Sequence, residues 1–264
     1  MKKRIFYVLV LLIALTSCDN KINTSSKKLT LKEYELKLQG SYKKIKMARF
    51  GADTTDYQLL ESENINFEKM IAECTSLYPN SISYSFDSLK KENIHIVSSS
   101  DKLLRIYSWN TWEGGTMAKF ENLFHYQSNG KMYSKIIKSN DSNRTYTPFY
   151  SRIYTLQHNN RTYYLCIYEG VHSTQDASQS IKIIELENDK IKEVPLFKSG
   201  KNLISAIELN YNYFSVEDTI RPLELIKYNE KKKEILIPVL DKKGDVTKNY
   251  LTYLFDNKYF KLVE

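Results

Sequence analysis

From Ile94 onward the chain repeats one pattern: a strand-like run, a polar turn built on asparagine, and a second strand-like run. The paired runs are 120–127 with 131–138, 151–157 with 161–169, 180–187 with 190–197, 223–228 with 234–240, and 250–255 with 258–263. Asn129, Asn159, Asn188, Asn229 and Asn257 mark the turns, at separations of 30, 29, 41 and 28 residues. Asparagine tolerates the left-handed backbone that tight hairpins require, and Asn129-Gly130 is the strongest short hairpin cue of the set. Two further runs, 94–97 and 103–109, flank the polar turn 98–102. The spacing is too loose for a true sequence repeat, but it predicts about ten to twelve antiparallel strands.

Before Ile94 the periodicity changes. Leu31, Tyr34, Leu38, Tyr42, Ile45 and Arg49 fall at three-and-four spacing and predict a helix over 30–49. Thr30 with Glu33 has the form of a capping box. Phe67, Met70, Ile71 and Cys74 predict a second helix over 66–77, stopped by Pro79, and 85–91 adds a short helical turn. The expected fold class is therefore α+β, mainly β. A short N-terminal helical region, 30–92, precedes a large antiparallel β-meander, 93–264, that is sandwich-like, with a propeller-like arrangement as the alternative.

The first eighteen residues have a different character. Lys2, Lys3 and Arg4 precede an apolar run over 5–15, then Thr16, Ser17 and Cys18. This is the layout of a secretory signal. The run is shorter than the roughly 20 apolar residues that a permanent membrane helix needs. Small residues directly before a cysteine resemble the lipobox of bacterial lipoproteins. That resemblance implies that residues 1–17 are removed, that Cys18 is diacylated, and that it anchors the chain to a membrane face of the cell envelope. Residues 18–29, polar and aperiodic, read as a flexible tether. The composition, rich in Tyr, Ile, Lys and Asn, is similar to that of exported lipoproteins of the Bacteroidota. So is the stretch from Trp109 to Met117. Many of those proteins are uncharacterised, and the resemblance brings no activity with it.

Without residues 1–17 the chain keeps 36 basic and 31 acidic side chains, because only Lys2, Lys3 and Arg4 leave. The charges are interspersed and form no concentrated basic face, which argues against a nucleic-acid partner. Cys74 sits on a helical face and Cys166 in an apolar strand, so two separately buried thiols are expected rather than a disulfide. Neither has the spacing of a metal or redox site, and no cofactor is expected.

The best candidate for a contact is the stretch around Trp109, Trp112 and Glu113, which holds both tryptophans of the chain and a following glycine pair. Tryptophan exposed at a strand end stacks on sugar rings or on a protein surface. A second candidate is the polar loop that carries Glu169, His172 and Asp176. No nucleophile elbow, phosphate loop or dinucleotide fingerprint is present. The leading expectation is a non-catalytic binding or accessory module for an envelope protein or a glycan. The alternative is an envelope hydrolase with a site assembled from Glu113, Glu169 and His172.

Overall fold

The structure, a computed structural model, describes residues 29–115, 117–137, 147–216 and 222–263. The expected leader over 1–17, Cys18 and the expected tether up to residue 28 lie outside the described residues, as does Thr116. Helix α1 (Leu31–Phe50) opens with the expected capping box. The Glu33 amide donates to Thr30 Oγ1 at 3.2 Å, and the Thr30 amide donates to Glu33 Oε2 at 2.7 Å. Helix α2 (Tyr57–Leu77) begins nine residues earlier than the apolar spacing predicts, at an Asp56 cap that accepts from the Leu59 amide at 3.0 Å. The early turns are hidden in the sequence because Asn64 is polar yet faces inward. Its amide nitrogen is satisfied there by donating to the Leu60 and Thr111 carbonyls, both at 2.9 Å. A 3-10 turn at Pro79–Ile82 and the single turn α3 (Asp87–Lys90) complete the helical region.

Three sheets follow, all antiparallel within themselves but for one parallel contact. The first runs in chain order through β1 (His95–Ser98), β2 (Leu104–Asn110), β3 (Phe120–Ser128) and β4 (Lys131–Ile137). The central sheet is built from β5 (Phe149–His158), β6 (Arg161–Val171) and β7 (Asp176–Glu187), with the short β8 (Lys190–Glu193) paired to β7. The hairpin of β9 (Phe197–Ser199) and β10 (Asn202–Ile204) then leaves for the third sheet, and β11 (Ala206–Asn212) returns to pair with β7. The outer sheet is completed by β12 (Lys227–Asn229), β13 (Glu234–Leu240), β14 (Val246–Phe255) and β15 (Phe260–Leu262). Its one parallel contact joins Phe260 to Phe197.

The asparagine turns have the backbone their chemistry suggests. Asn129, Asn159, Asn188 and Asn257 all lie at positive φ, between 48° and 68°. Asn229 acts differently: its side-chain oxygen accepts from the Lys231 and Lys232 amides, each at 3.1 Å.

Strand alternation sorts the side chains into three cores. Tyr107, Trp109 and Leu123 face α1 and α2, where they meet Leu38, Tyr42, Ile45 and Phe67. Leu104, Ile106, Phe124 and Tyr126, on the opposite face of the first sheet, meet Tyr150, Tyr164, Cys166 and Tyr168 of the central sheet. Leu165, Ile167, Ile181 and Ile183, on the far face of the central sheet, meet Ile235, Ile237, Phe255 and Phe260. The molecule is thus four layers: helices, first sheet, central sheet, outer sheet. The sandwich-like, mainly β expectation holds. Cys74 and Cys166 are free and buried in different cores.

One polar cluster lies under the helical region. Arg105 Nη1 donates to the carbonyls of Ser81, at 2.9 Å, and Tyr84, and Nε donates to Ser98 Oγ at 2.8 Å. His125 is fully buried beside it, with Nδ1 3.2 Å from Ser81 Oγ. Burial, and then the Arg105 guanidinium, hold the imidazole down at about 4. Burial holds His95 at about 4 as well.

Two outcomes follow. Trp109 is fully buried, so Trp109→Ala is expected to lower stability by about 3–5 kcal/mol and Thr30→Ala by about 1 kcal/mol in urea unfolding. His125 stays neutral in the fold but takes a proton in the unfolded chain below its ordinary value of 6.5. Stability is therefore expected to fall as pH drops from 6.5 toward 4, and the slope over that window to shrink in His125→Gln. An unchanged slope in the variant would show that other groups govern it.

Candidate interaction surface

The two tryptophans of the sequence candidate have separate fates. Trp109 is fully buried, packed edge-on against Phe67 with ring centroids 5.3 Å apart, and is a core residue. Trp112 is half-buried beyond the end of β2. Both helices hold the chain there. Tyr42 donates its hydroxyl to the Asn110 carbonyl at 3.1 Å, and Asn64 donates to the Thr111 carbonyl. The Trp112 backbone lies at φ 58°, a left-handed conformation unusual for a bulky side chain. Its amide donates to Asn110 Oδ1 at 2.8 Å. Strain of this kind costs on the order of 1–3 kcal/mol and persists only where the surroundings enforce it.

The glycines beyond Trp112 are not equivalent. A Cβ on Gly114 would meet the Met117 carbonyl oxygen at 2.0 Å, so the loop closes on itself only with glycine there. Gly115 has open space around it. Glu113 is held within the same loop by an ion pair with Lys119.

The Trp112 ring meets Phe50 in an edge-to-face contact with centroids 5.0 Å apart. Phe50 is the last residue of α1, and the α1–α2 connection folds back on it. The Asp56 amide donates to the Ala48 carbonyl at 3.1 Å, and Arg49 donates to Thr55 Oγ1. Gly51 makes this close return possible, since a Cβ there would meet the Met47 carbonyl oxygen at 2.5 Å. Three large apolar side chains stand exposed at this end of the helical hairpin: Phe50 at 59%, Tyr57 at 70% and Leu59 at 43%. Phe50 packs on Trp112, and Tyr57 and Leu59 stand in the first turn of α2, just past the α1–α2 connection; this end of the helical hairpin is its tip. Scattered single apolar residues are ordinary on a surface, whereas a contiguous group rich in aromatic side chains marks a contact.

Sequence reasoning named Trp112 and missed Phe50 and Tyr57. Phe50-Gly51-Ala52-Asp53 read only as the end of a helix. The available signal was the run of large apolar residues beside that break, at positions outside the core-facing spacing.

The second candidate is divided between a buried strand position and a surface groove. Glu169 is buried within β6 and accepts from Gln179 Nε2 at 3.2 Å. Gln179 also donates to the Leu223 carbonyl at 2.9 Å and accepts from the Ile226 amide at 2.6 Å, so this group pins the segment entering β12. His172 and Asp176 lie farther along the hairpin, on a shallow groove of about 360 Å³ shared with Asn210, Asn212 and Lys243. There Asp176 accepts from Ser173 Oγ at 2.7 Å, and the Asp176 amide donates back to Ser173 Oγ at 2.9 Å, which is a turn-forming pair. Among the described residues no group of three His, Cys, Asp or Glu side chains is placed to hold a metal ion. None of the described helices is long and apolar enough to cross a membrane.

The tip makes two expectations. In Trp112→Phe the remaining Trp109 emission is expected to be blue and weakly quenched by acrylamide; in Trp109→Phe the remaining Trp112 emission is expected to be redder and more strongly quenched. Equal quenching would contradict the placement. Gly114→Ala is expected to cost roughly 1–3 kcal/mol in urea unfolding, and Gly115→Ala to stay within about 0.5 kcal/mol. Compared with known proteins, the chain matches no family model, no curated protein and no solved structure.

Proposed function

We propose that the chain is a non-catalytic binding or accessory module of the cell envelope, held at a membrane face by a lipid on Cys18. Its contact surface is the tip of Phe50, Tyr57, Leu59 and Trp112, and its partner is another envelope protein or a glycan. The single observation that carries the reading is the exposed Phe50 ring packed on a tryptophan whose backbone is clamped by both helices, with exposed Tyr57 and Leu59 at the start of α2. Binding modules place large amphipathic side chains on rigid supports in this way, because little conformational freedom is then lost on contact. The mixture of flat aliphatic and aromatic groups favours a protein over a sugar.

The alternative, a hydrolase, needs at least two polar groups within reach of one substrate atom. Its candidate residues have other partners: Glu113 is paired to Lys119, Glu169 accepts from Gln179, and His172 lines a groove that does not include Glu169.

A photo-reactive amino acid at Tyr57 is expected to give one discrete protein adduct in intact cells, and the same group at exposed Lys242 none. Phe50→Glu is expected to abolish that adduct without loss of the folded state. No adduct from Tyr57, or the same adduct from both positions, would defeat the protein reading. A Trp112 emission shift on adding envelope glycans would move the assignment to a sugar.

A further inference from the structure

The solvent face of α1 has a pattern the fold does not use. Leu36 and Met47 lie eleven residues apart, about three helical turns, and so share one line along the helix. That line is opposite the core stripe of Leu38, Tyr42 and Ile45. Both side chains are more than half exposed, at 52% and 68%. Lys32, Lys37, Lys43 and Lys44 surround them, all exposed. Lys43 and Lys44 make only long ion pairs, 3.6 Å to Glu92 and 3.8 Å to Glu63. Glu33 is the one exposed carboxylate on α1, and it is turned into the cap at Thr30. Helix α2 has the opposite balance, with Glu61, Glu63, Glu68 and Glu73 against Lys69.

We infer that this face of α1 rests on an anionic bilayer surface, as a second attachment beside the lipid. The inference rests on the lipid-anchor reading for the nearness of the bilayer. An apolar line bordered by lysines is the form of a helix that lies in a membrane interface. Lysine stems lie along the apolar surface and carry their charge to the headgroups. The reach is sufficient. Twelve residues lie between Cys18 and Leu31, and a chain of that length spans at most roughly 40 Å, which exceeds the roughly 30 Å length of α1. A single lipid attachment gains most from a basic patch close to it. Phe50, at the end of this helix, turns to Trp112 and remains part of the tip.

The test uses the chain from Asp19 onward, which has no lipid and retains all three cores, since these span Leu31 to Phe260. It is sedimented with vesicles of phosphatidylcholine alone and of phosphatidylcholine mixed with phosphatidylglycerol. Binding is expected to the mixed vesicles only and to be reversed by high salt. Each lysine near such a surface strengthens binding roughly fivefold, so Lys32→Glu with Lys37→Glu is expected to weaken it at least 25-fold, roughly. Leu36→Gln with Met47→Gln is expected to weaken it at low salt. A chain that stays in the supernatant with both vesicle types, or variants that bind as the parent does, would overturn the inference. So would a discrete protein adduct from a photo-reactive group at Leu36 without vesicle binding, which would give this face to a protein. Vesicle binding is read without the lipid and without Tyr57, so its failure is separate from failure of the tip adduct.

Discussion

The central sheet is buried on both of its faces, and the rest of the molecule is arranged to make that possible. From Tyr163 to Gly170, β6 has no exposed residue. A strand in that position needs apolar partners above and below, and neither a single sheet nor a two-layer sandwich provides both. The first sheet covers one face through Leu104, Ile106, Phe124 and Tyr126, and the outer sheet covers the other through Ile235, Ile237, Phe255 and Phe260. The first sheet in turn leaves Tyr107, Trp109 and Leu123 uncovered, and α1 and α2 close that last face. Each layer exists because the one before it presents an apolar surface to water.

Polar groups fix the layers in place once burial has brought them together. A purely apolar interface between layers would tolerate sliding, whereas a buried donor or acceptor is costly in any register but the one that satisfies it. Ser108 Oγ donates to Asn122 Oδ1 at 2.6 Å and accepts from the Tyr150 amide at 3.1 Å, which ties the first sheet to the central one. Gln179 does the same between the central sheet and the segment entering β12. Asn64 and Tyr42 tie both helices to the end of β2. These last two bonds have a second effect: they clamp the backbone beside Trp112 and so make the tip rigid. The same contacts that register the helical layer therefore prepare the surface proposed to bind.

The two surfaces of the helical layer complement each other. The tip gathers apolar and aromatic groups at one end of the hairpin, and the long outer face of α1 presents lysines around an apolar line. A domain that meets a bilayer along α1 and a partner through the tip, as proposed, would hold that partner close to the membrane.

Much of the secondary structure was legible in the residues themselves. The capping box at Thr30 and the left-handed asparagines at 129, 159, 188 and 257 are local chemistry, decided within a few residues. The early turns of α2 were hidden by one inward asparagine, because Asn64 is compatible with burial only when the Thr111 carbonyl, distant in sequence, is there to accept. The same limit applies to the tip. Phe50 and Trp112 are far apart in sequence and meet only because the helical layer packs on the end of β2. The sequence by itself determined helices followed by antiparallel hairpins, since periodicity and turn residues are properties of neighbouring residues. Only the tertiary structure decided that the hairpins divide into three stacked sheets, that Trp109 is fully buried while Trp112 is only partly covered, and that Glu169 is buried in β6 while His172 lines a surface groove. Those outcomes depend on which faces find partners, and a face finds its partner across the fold rather than along the chain.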